Sequence, residues 1–284
     1  MWITDITLLI LFILSFFQMN IIIEVSRQVL QTFLITIFPS LFFMLVLCKL
    51  LLQSGMLQRV LQRSSLHYAL YLYALLGIII GFAGNALLLK DAYHHDQITS
   101  REVQIITLCC CIPSFPFCIF TLGSLLGDMR YGVLLYATQC IFACVMLSFY
   151  IPSTKLSLKE NTALSLQEAL QSSGNGLYMM LGYILLVSVM LALVTPLLPQ
   201  YLQEILFYIG EFASASIQTV TSSNTLSTKL YTLSIILGFG SLNAHLQIYA
   251  ITPVVPKYST FLLYRILQML FSISILYLFL KLLH

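Results

Sequence analysis

Residues 235–248 read IILGFGSLNAHLQI and lie inside an apolar run from about Leu230 to Ile251. Glycines and polar residues interrupt this run in quick succession. Polar groups at membrane depth cost several kcal/mol each unless they are paired or hydrated. We therefore predict a broken helix near the midplane that lines a cavity with Gly240, Ser241, Asn243, His245 and Gln247. The alternative is that these side chains only hydrogen-bond between packed helices.

The composition is that of an integral membrane protein. The 284 residues are 60% hydrophobic and 8% charged, with a mean hydropathy of +0.96, whereas soluble domains carry about 25% charged residues. Since a helix needs about 20 apolar residues to cross a bilayer, there is room for roughly seven to ten membrane segments. A net charge of +3 gives no indication of nucleic-acid binding. We expect an all-α, polytopic protein of the cell membrane, with one integral membrane domain over residues 1–284.

Two earlier stretches carry interruptions of the same kind. GFAGNA at residues 81–86 resembles GFGSLNAH at residues 238–245 and supplies Gly81, Gly84 and Asn85 as candidate site residues. CCCIPSFPFCIF at residues 109–120 places two prolines three apart, and such a pair cannot lie in an uninterrupted helix. The chain must break near Ser114. We expect a discontinuous or re-entrant segment there, with an ordinary proline-kinked span as the alternative.

The remaining segments are expected as follows. An uncleaved first span covers about Trp2–Ile23, an amphipathic helix follows at Glu24–Thr36, and Pro39 can kink the next helix. Thr99 and Glu102 form a capping box. Further predictions are a loop at Gln58–His67, a tight turn at Gly127–Arg130, a polar linker at Ile151–Gly176 containing an amphipathic piece at Leu164–Gln171, and spans at Tyr131–Tyr150, Leu177–Leu198, Tyr201–Val220 and Thr260–Leu280.

The order of parts repeats along the chain. From Glu24 onward, an amphipathic helix, a span, a loop and a glycine-broken segment at 77–86 follow one another. About 144 residues later the same succession begins at Glu168 and ends in the broken segment at 238–247. Paired broken helices indicate two repeated halves, at about residues 24–128 and 168–256, and an inverted repeat is favoured. Lysines and arginines are spread over loops of both parities, so the orientation is unresolved.

No pattern in the sequence indicates catalysis, a cofactor or a metal. There is no triad, no paired carboxylate at depth and no phosphate-binding loop. His94 and His95 lie near Asp91 and Asp96 on a loop that we interpret as solvated. The seven cysteines fall in apolar stretches without a CxxC pair, which indicates buried free thiols. We do not expect an enzyme.

The chemistry of the interruptions favours a solute with acceptor groups. Acidic residues avoid the apolar centres, whereas hydrogen-bond donors lie in all three interruptions. Broken helices also present free N–H groups and a positive dipole end. The cavity therefore suits an anionic or polar aromatic solute. His245 either binds that solute or is a core histidine satisfied by a carbonyl, and in a regular helix it aligns with Ser241 rather than with Asn243 and Gln247.

Five motifs stand in an order that is similar to a known family: FPSLFF at 38–43, GFAGNA at 81–86, the helix start before SREVQ, CCCIPSFPFCIF followed by GSLLGD, and FGSLNAHLQ at 239–247. Together they resemble the sporulation integral membrane proteins of the YlbJ type, which are nucleoside-recognition or Gate-domain membrane proteins. The likeness runs from about Glu24 to Lys281. In the last motif Phe239, Gly240, Leu242, His245 and Gln247 match the family pattern, while Ser241 and Asn243 depart from it. In the first break Ala83, Asn85 and Leu87 replace the family's proline, glycine and lysine.

The resemblance implies transport during endospore formation, with dipicolinic acid as solute, across the membrane around the forespore. The rivals are a nucleoside transporter of the same superfamily and a non-transporting scaffold. The expected partners are a small-molecule solute and the lipid bilayer, without nucleic acid, and a homo-oligomer is compatible with the sequence. Replacing His245 or Gln247 by alanine is expected to abolish uptake without preventing insertion or folding.

Overall fold

The helices of the computed structural model account for almost all of the residues that it describes, which are 2–53, 59, 68–152 and 165–283, and those ranges contain no strand. In chain order the α-helices of ten or more residues are α1 (Trp2–Phe17), α2 (Met19–Thr32), α3 (Phe38–Gln53), α4 (Ala69–Ile80), α5 (Phe82–His94), α6 (Ser100–Cys109), α7 (Met129–Ser148), α8 (Leu166–Val194), α9 (Gln200–Gly210), α10 (Phe212–Thr221), α11 (Leu226–Phe239), α12 (Leu242–Ile251) and α13 (Tyr258–Leu283). A π-helical segment, Phe117–Leu122, and a single α-helical turn, Gly123–Leu125, precede α7, and a 3-10 turn, Thr195–Leu197, follows α8. The expected loop at Gln58–His67, apart from Arg59, and residues 153–164 of the expected linker lie outside the described residues.

Within the part of the chain that the structure describes, four segments are long and apolar enough to cross a bilayer: Met129–Ser148, Leu166–Leu197, Leu226–Ile251 and Tyr258–Leu282. Large apolar side chains such as Leu186, Leu246 and Leu270 are more than half exposed. Such faces are unfavourable in water and suit lipid contact. The chain is an all-α polytopic membrane protein.

The N-terminal boundaries differ from the expected ones. The first helix ends at Phe17 rather than Ile23, and α2 begins at Met19, before Glu24. A π-helical segment, Phe33–Ile37, then leads into α3. Pro39 accounts for it, because proline has no N–H to donate to the Ile35 carbonyl and its ring would collide with that carbonyl in a regular α-helix. The wider π turn relieves the conflict.

The expected linker end at residues 172–176 is wrong. This SSGNG run lies inside α8, a single helix of 29 residues that a Ser165–Glu168 capping box begins. The small residues mark a packing face instead of a loop. A side-chain carbon at Gly176 would lie 2.9 Å from the Leu87 side chain, and the Ser172 hydroxyl accepts a hydrogen bond from Lys49 Nζ at 2.9 Å.

The helix start predicted from a capping box and the tight turn predicted at Gly127–Arg130 are both confirmed. Thr99 and Glu102 form the capping box of α6, in which Thr99 Oγ1 accepts from the Glu102 N–H at 3.3 Å. Gly127 makes the tight turn with φ +84°. Asp128 caps α7 by accepting from the Arg130 N–H at 2.8 Å. Hydrogen bonds from the Arg130 side chain and then from its backbone hold the pKa of this exposed carboxyl below its usual value.

The cysteines are free, as predicted, but not uniformly buried. Cys48, Cys109, Cys110, Cys111 and Cys118 are buried, whereas Cys140 is half-buried and Cys144 is exposed. Cys140 and Cys144 both lie on α7. The face of this helix that carries them is turned outward, so other helices do not cover their side chains. The interpretation of all seven as buried is therefore wrong for this helix.

Four interruptions divide helical segments in the described ranges. They lie at Gly81, at residues 110–114, at Glu211 and at Gly240. The break that ends at Ser114 and the breaks at Gly81 and Gly240 agree with the predictions. The interruption at Glu211 does not, because the sequence analysis expected one span over Tyr201–Val220. Each glycine interruption lies near the middle of its helical pair, α4–α5 or α11–α12.

Candidate functional site

A cavity of about 510 Å³ lies where the four interruptions meet. Its wall contains the beginning of α5, the residues Ser114, Pro116 and Phe117, and the beginnings of α10 and α12. Parts of α2, α8 and α9 also line it. Apolar and aromatic side chains make up most of the wall. Its polar lining residues are Gln28, Thr32, Ser114, Thr121, Ser188, Thr195, Glu211, Ser214, Ser241, Asn243 and Gln247.

Backbone contacts hold the first two interruptions together. Gly81 has φ +88°, and a side-chain carbon built on it would come within 2.5 Å of the Ser114 backbone nitrogen. The Phe82 N–H, which the break leaves free, donates to the Ile112 carbonyl at 2.8 Å. Gly81 therefore needs glycine both for its left-handed conformation and for its closeness to Ser114. Both residues line the cavity.

The helix that follows Gly240 presents two amides to the cavity. Ser241 caps it by accepting from the Ala244 N–H at 3.1 Å, and the helix is regular from Leu242 onward. Asn243 and Gln247 consequently lie one turn apart on one face. Gln247 Nε2 donates to Asn243 Oδ1 at 2.9 Å. This bond leaves the Asn243 amide N–H groups and the Gln247 carbonyl oxygen for other partners.

His245 lies on another face of the same helix and does not line the cavity. Its Nε2 is 2.9 Å from the Phe239 carbonyl, which can only accept, so Nε2 carries the proton and donates. Its Nδ1 is 3.4 Å from the Tyr258 hydroxyl, and its ring meets the Phe261 ring edge-on. The Phe239 carbonyl is one that the break at Gly240 frees, so His245 satisfies the end of α11.

Three other candidate residues also lie outside the cavity wall. A side-chain carbon built on Gly84 would meet the side chains of Ile80 and Leu45, and one built on Gly240 would lie 3.6 Å from His245 Nε2. Asn85 is buried, and its Oδ1 has no hydrogen-bond partner within the described part of the chain. It borders a separate pocket of about 10 Å³ beside Thr252. Of the nine candidates, the cavity brings together Gly81, Ser114, Ser241, Asn243 and Gln247.

Glu211 was missed by the sequence analysis, which held that acidic residues avoid the apolar centres. It lies between α9 and α10 and lines the cavity. Its Oε1 accepts from the Ala213 N–H at 3.0 Å and its Oε2 from the Ser214 N–H at 2.6 Å. A glycine followed by an acidic residue, Gly210-Glu211 here, was the available signal for a helix start.

Arg265 was not among the residues expected to contribute to the site, since lysines and arginines were considered only in the loops. It lies inside α13 and is fully buried. Its guanidinium donates to the carbonyls of Leu108 and Cys111 and lies 5.2 Å from the centre of the Phe261 ring. Arg265 thus satisfies the carbonyls that the second interruption leaves free, from the side away from the cavity.

A second, smaller pocket of about 260 Å³ contains charged residues. Lys49 Nζ lies 2.7 Å from Asp91 Oδ2, and the same pocket contains His95 and Glu168. No group of three or more histidine, cysteine or acidic residues in the described ranges has the arrangement of a metal site. The pocket touches α5 near its end, whereas the large cavity touches the beginning of that helix.

Comparisons with protein-family models, with curated proteins and with solved structures found no match for this chain. The resemblance to the YlbJ-type membrane proteins therefore stays a hypothesis based on the five motifs alone.

Proposed function

We propose that the protein transports a small anionic or polar aromatic solute across the membrane. The observation that carries the proposal is the cavity of about 510 Å³ around which four interrupted helical segments begin again. Lipid does not tolerate free backbone groups, so non-helical chain at membrane depth borders protein or a water-filled cavity. Helices that break near the midplane around a common site are the construction that secondary transporters use.

The cavity has the size and lining of a small-molecule site. Ligand pockets are typically about 300–1,000 Å³ and combine apolar walls with a few polar groups. Aromatic rings supply the apolar wall here: Phe33, Phe82, Phe117, Phe120, Phe207 and Phe212. They favour a flat or aromatic solute through ring packing.

The helix beginnings favour an acceptor or anionic group on that solute. The first turn of α5 has no side-chain cap, and its N-terminus lies in the cavity wall. Free N–H groups and the helix dipole attract negative charge at such an end. Dipicolinate combines a flat ring with carboxylates. Its assignment, and that of the forespore membrane, depends on the motif resemblance.

A nucleoside is the second candidate, and the paired amides favour it. Asn243 retains N–H donors and Gln247 retains a carbonyl acceptor after they bond to each other. A donor and an acceptor side by side match the edge of a nucleobase. The ring-lined wall accommodates either solute.

We also propose that the interruptions of the two halves correspond in a different pairing from the one first expected, which matched residues 77–86 with residues 238–247. The order of interruptions pairs Gly81 with Glu211 and residues 110–114 with Gly240. Phe82-Ala83 after the first interruption then matches Phe212-Ala213 after the third, and Ser114 matches Ser241. The uninterrupted helices α7 and α13 follow at corresponding places.

The test is solute exchange in vesicles that contain the purified protein. Vesicles loaded with unlabelled dipicolinate should take up labelled dipicolinate, and the uptake should saturate. Removing the Gln247 amide should lower exchange by about tenfold or more, the loss expected for a hydrogen bond or two to a charged solute. Gln247→Ala is the variant, and Leu246→Ala on the exposed side of the same helix is the matched control.

Competition separates the two solutes. Unlabelled dipicolinate that suppresses uptake, while uridine and adenosine do not, supports the first candidate, and the reverse supports the second. A scaffold exchanges neither solute. Absence of protein-dependent exchange with both solutes would contradict the transport proposal.

A further inference from the structure

We propose that Glu211 binds a proton and that this proton crosses the membrane together with the solute. The inference rests on the proposed transport function and names its coupling ion. Ionisable residues inside membrane segments are costly and mark ion or proton pathways. Among the described residues that line the cavity, Glu211 is the only one with an ionisable acid or base.

The local geometry leaves the carboxyl group able to take up a proton. Glu211 is half-buried at the interruption between α9 and α10. Each oxygen accepts one backbone N–H from the first turn of α10. A carboxylate oxygen has a second lone pair, so both oxygens can still accept a proton from the cavity side. Protonation adds one hydrogen to one oxygen and breaks no other bond.

No cation is positioned to neutralise this carboxylate within the described part of the chain. The other titratable residues on α9 and α10 and on the elements packed against them do not line the cavity: Tyr201, Glu204, Tyr208, Cys118, Lys229, Tyr231, His245, Tyr249, Glu168, Tyr178, Tyr183, Lys90, Asp91, Tyr93 and His94. Lys229 Nζ donates to the Val220 carbonyl at 2.7 Å, near the other end of α10. Val220 is about 14 Å from Glu211 along the helix axis, at 1.5 Å per residue. His245 is engaged with Phe239 and Tyr258.

Coupling follows from charge. A solute carboxylate and the Glu211 carboxylate would occupy one cavity whose wall is mostly apolar, and like charges repel strongly where water is excluded. A proton on Glu211 removes that repulsion. Because binding free energies are reciprocal, the proton then raises solute affinity and the solute raises proton affinity by the same factor. The two ligands are therefore expected to bind and move together.

The experiment separates exchange from driven uptake. Vesicles with the wild-type protein, Glu211→Gln, Glu211→Asp or the control Glu204→Gln are assayed with labelled dipicolinate at equal pH on both sides. The same vesicles are then assayed with an inward proton gradient, the membrane potential being held at zero by potassium and valinomycin. Glu204 is an exposed residue of α9, so its variant tests for an unspecific loss of charge.

Wild-type and Glu204→Gln vesicles should accumulate dipicolinate up to about tenfold for a gradient of one pH unit and one proton per solute. Whatever its rate of exchange at equal pH, Glu211→Gln should lose this accumulation, since its amide cannot carry the proton. Glu211→Asp keeps a carboxyl group and should retain part of it. A pH-sensitive dye should record proton uptake with wild-type solute uptake, a readout that requires no variant.

The outcomes distinguish the two proposals. Wild-type vesicles that exchange neither dipicolinate nor uridine and adenosine contradict the transport function itself. Exchange of the nucleosides alone overturns the coupling, because the argument requires a negatively charged solute. Exchange without accumulation or proton movement in the wild-type protein overturns the coupling alone. Accumulation by Glu211→Gln at the wild-type level likewise assigns the proton to another group.

Discussion

Gly81 and Gly240 interrupt two helical pairs in the same left-handed half of backbone conformations, but their surroundings differ. Gly81 has φ +88° and touches the Ser114 backbone, which another interruption contributes. Gly240 has φ +79°, and a side-chain carbon there would meet nothing closer than the His245 ring at 3.6 Å. At Gly81 both conformation and space require glycine, whereas at Gly240 only conformation does.

The difference indicates how the cavity is built. The interruption at Gly81 contacts the interruption at residues 110–114. The hydrogen bond from the Phe82 N–H to the Ile112 carbonyl fixes the relative position of the two. The Gly240 interruption is completed by its own chain, because Ser241 caps α12 and His245 satisfies the end of α11. We therefore expect substitutions near Gly81 to disturb the assembly of the cavity and those near Gly240 to act locally.

The largest effect is expected for Gly81→Ala. The added carbon would collide with backbone that cannot rotate away, and its φ would be strained, which together cost about 2–5 kcal/mol of stability. Thermal unfolding can be followed by labelling of the buried cysteines. Gly127→Ala is the matched control, since Gly127 has φ +84° with nothing within 4 Å of the added carbon. Equal losses in the two variants would contradict the role of the Ser114 contact.

An intermediate effect is expected for His245→Ala. It removes a buried ring and leaves the Phe239 carbonyl unpaired, at a cost of about 2–4 kcal/mol. Solute exchange per folded molecule should stay close to wild type, because His245 does not line the cavity. Gln247→Ala should show the opposite pattern, with a smaller loss of stability than His245→Ala and a large loss of exchange. A His245→Ala protein that unfolds normally but does not exchange would restore the role in uptake expected from the sequence.

The smallest effect is expected for Gly240→Ala. The strain of a positive φ costs about 1–2 kcal/mol, and no atom has to move away from the added carbon. The same cysteine-labelling assay should place its midpoint between those of the wild type and Gly81→Ala. A loss as large as that of Gly81→Ala would show that the close contact at Gly81 adds nothing to the strain of a positive φ.

Much of the local structure could be predicted. The breaks at Gly81 and Gly240 and the break that ends at Ser114 follow from backbone chemistry that a few neighbouring residues determine. The candidate site was predicted less well, because Asn85 and His245 are chemically suited to a cavity but face away from it. Glu211 was assigned to an uninterrupted span, although it interrupts one. Which face of a helix meets the cavity depends on packing against distant segments.

The sequence by itself determined that this protein is a helical membrane protein with interrupted segments, because apolar length, glycine and proline act through lipid solvation and local dihedral angles. Only the tertiary structure decided which interruptions share a wall. Gly81 and Ser114 are 33 positions apart in the chain, and Arg265 stabilises carbonyls at Leu108 and Cys111. Contacts across such separations depend on how the helices pack around one another, and no pattern of neighbouring residues contains that information.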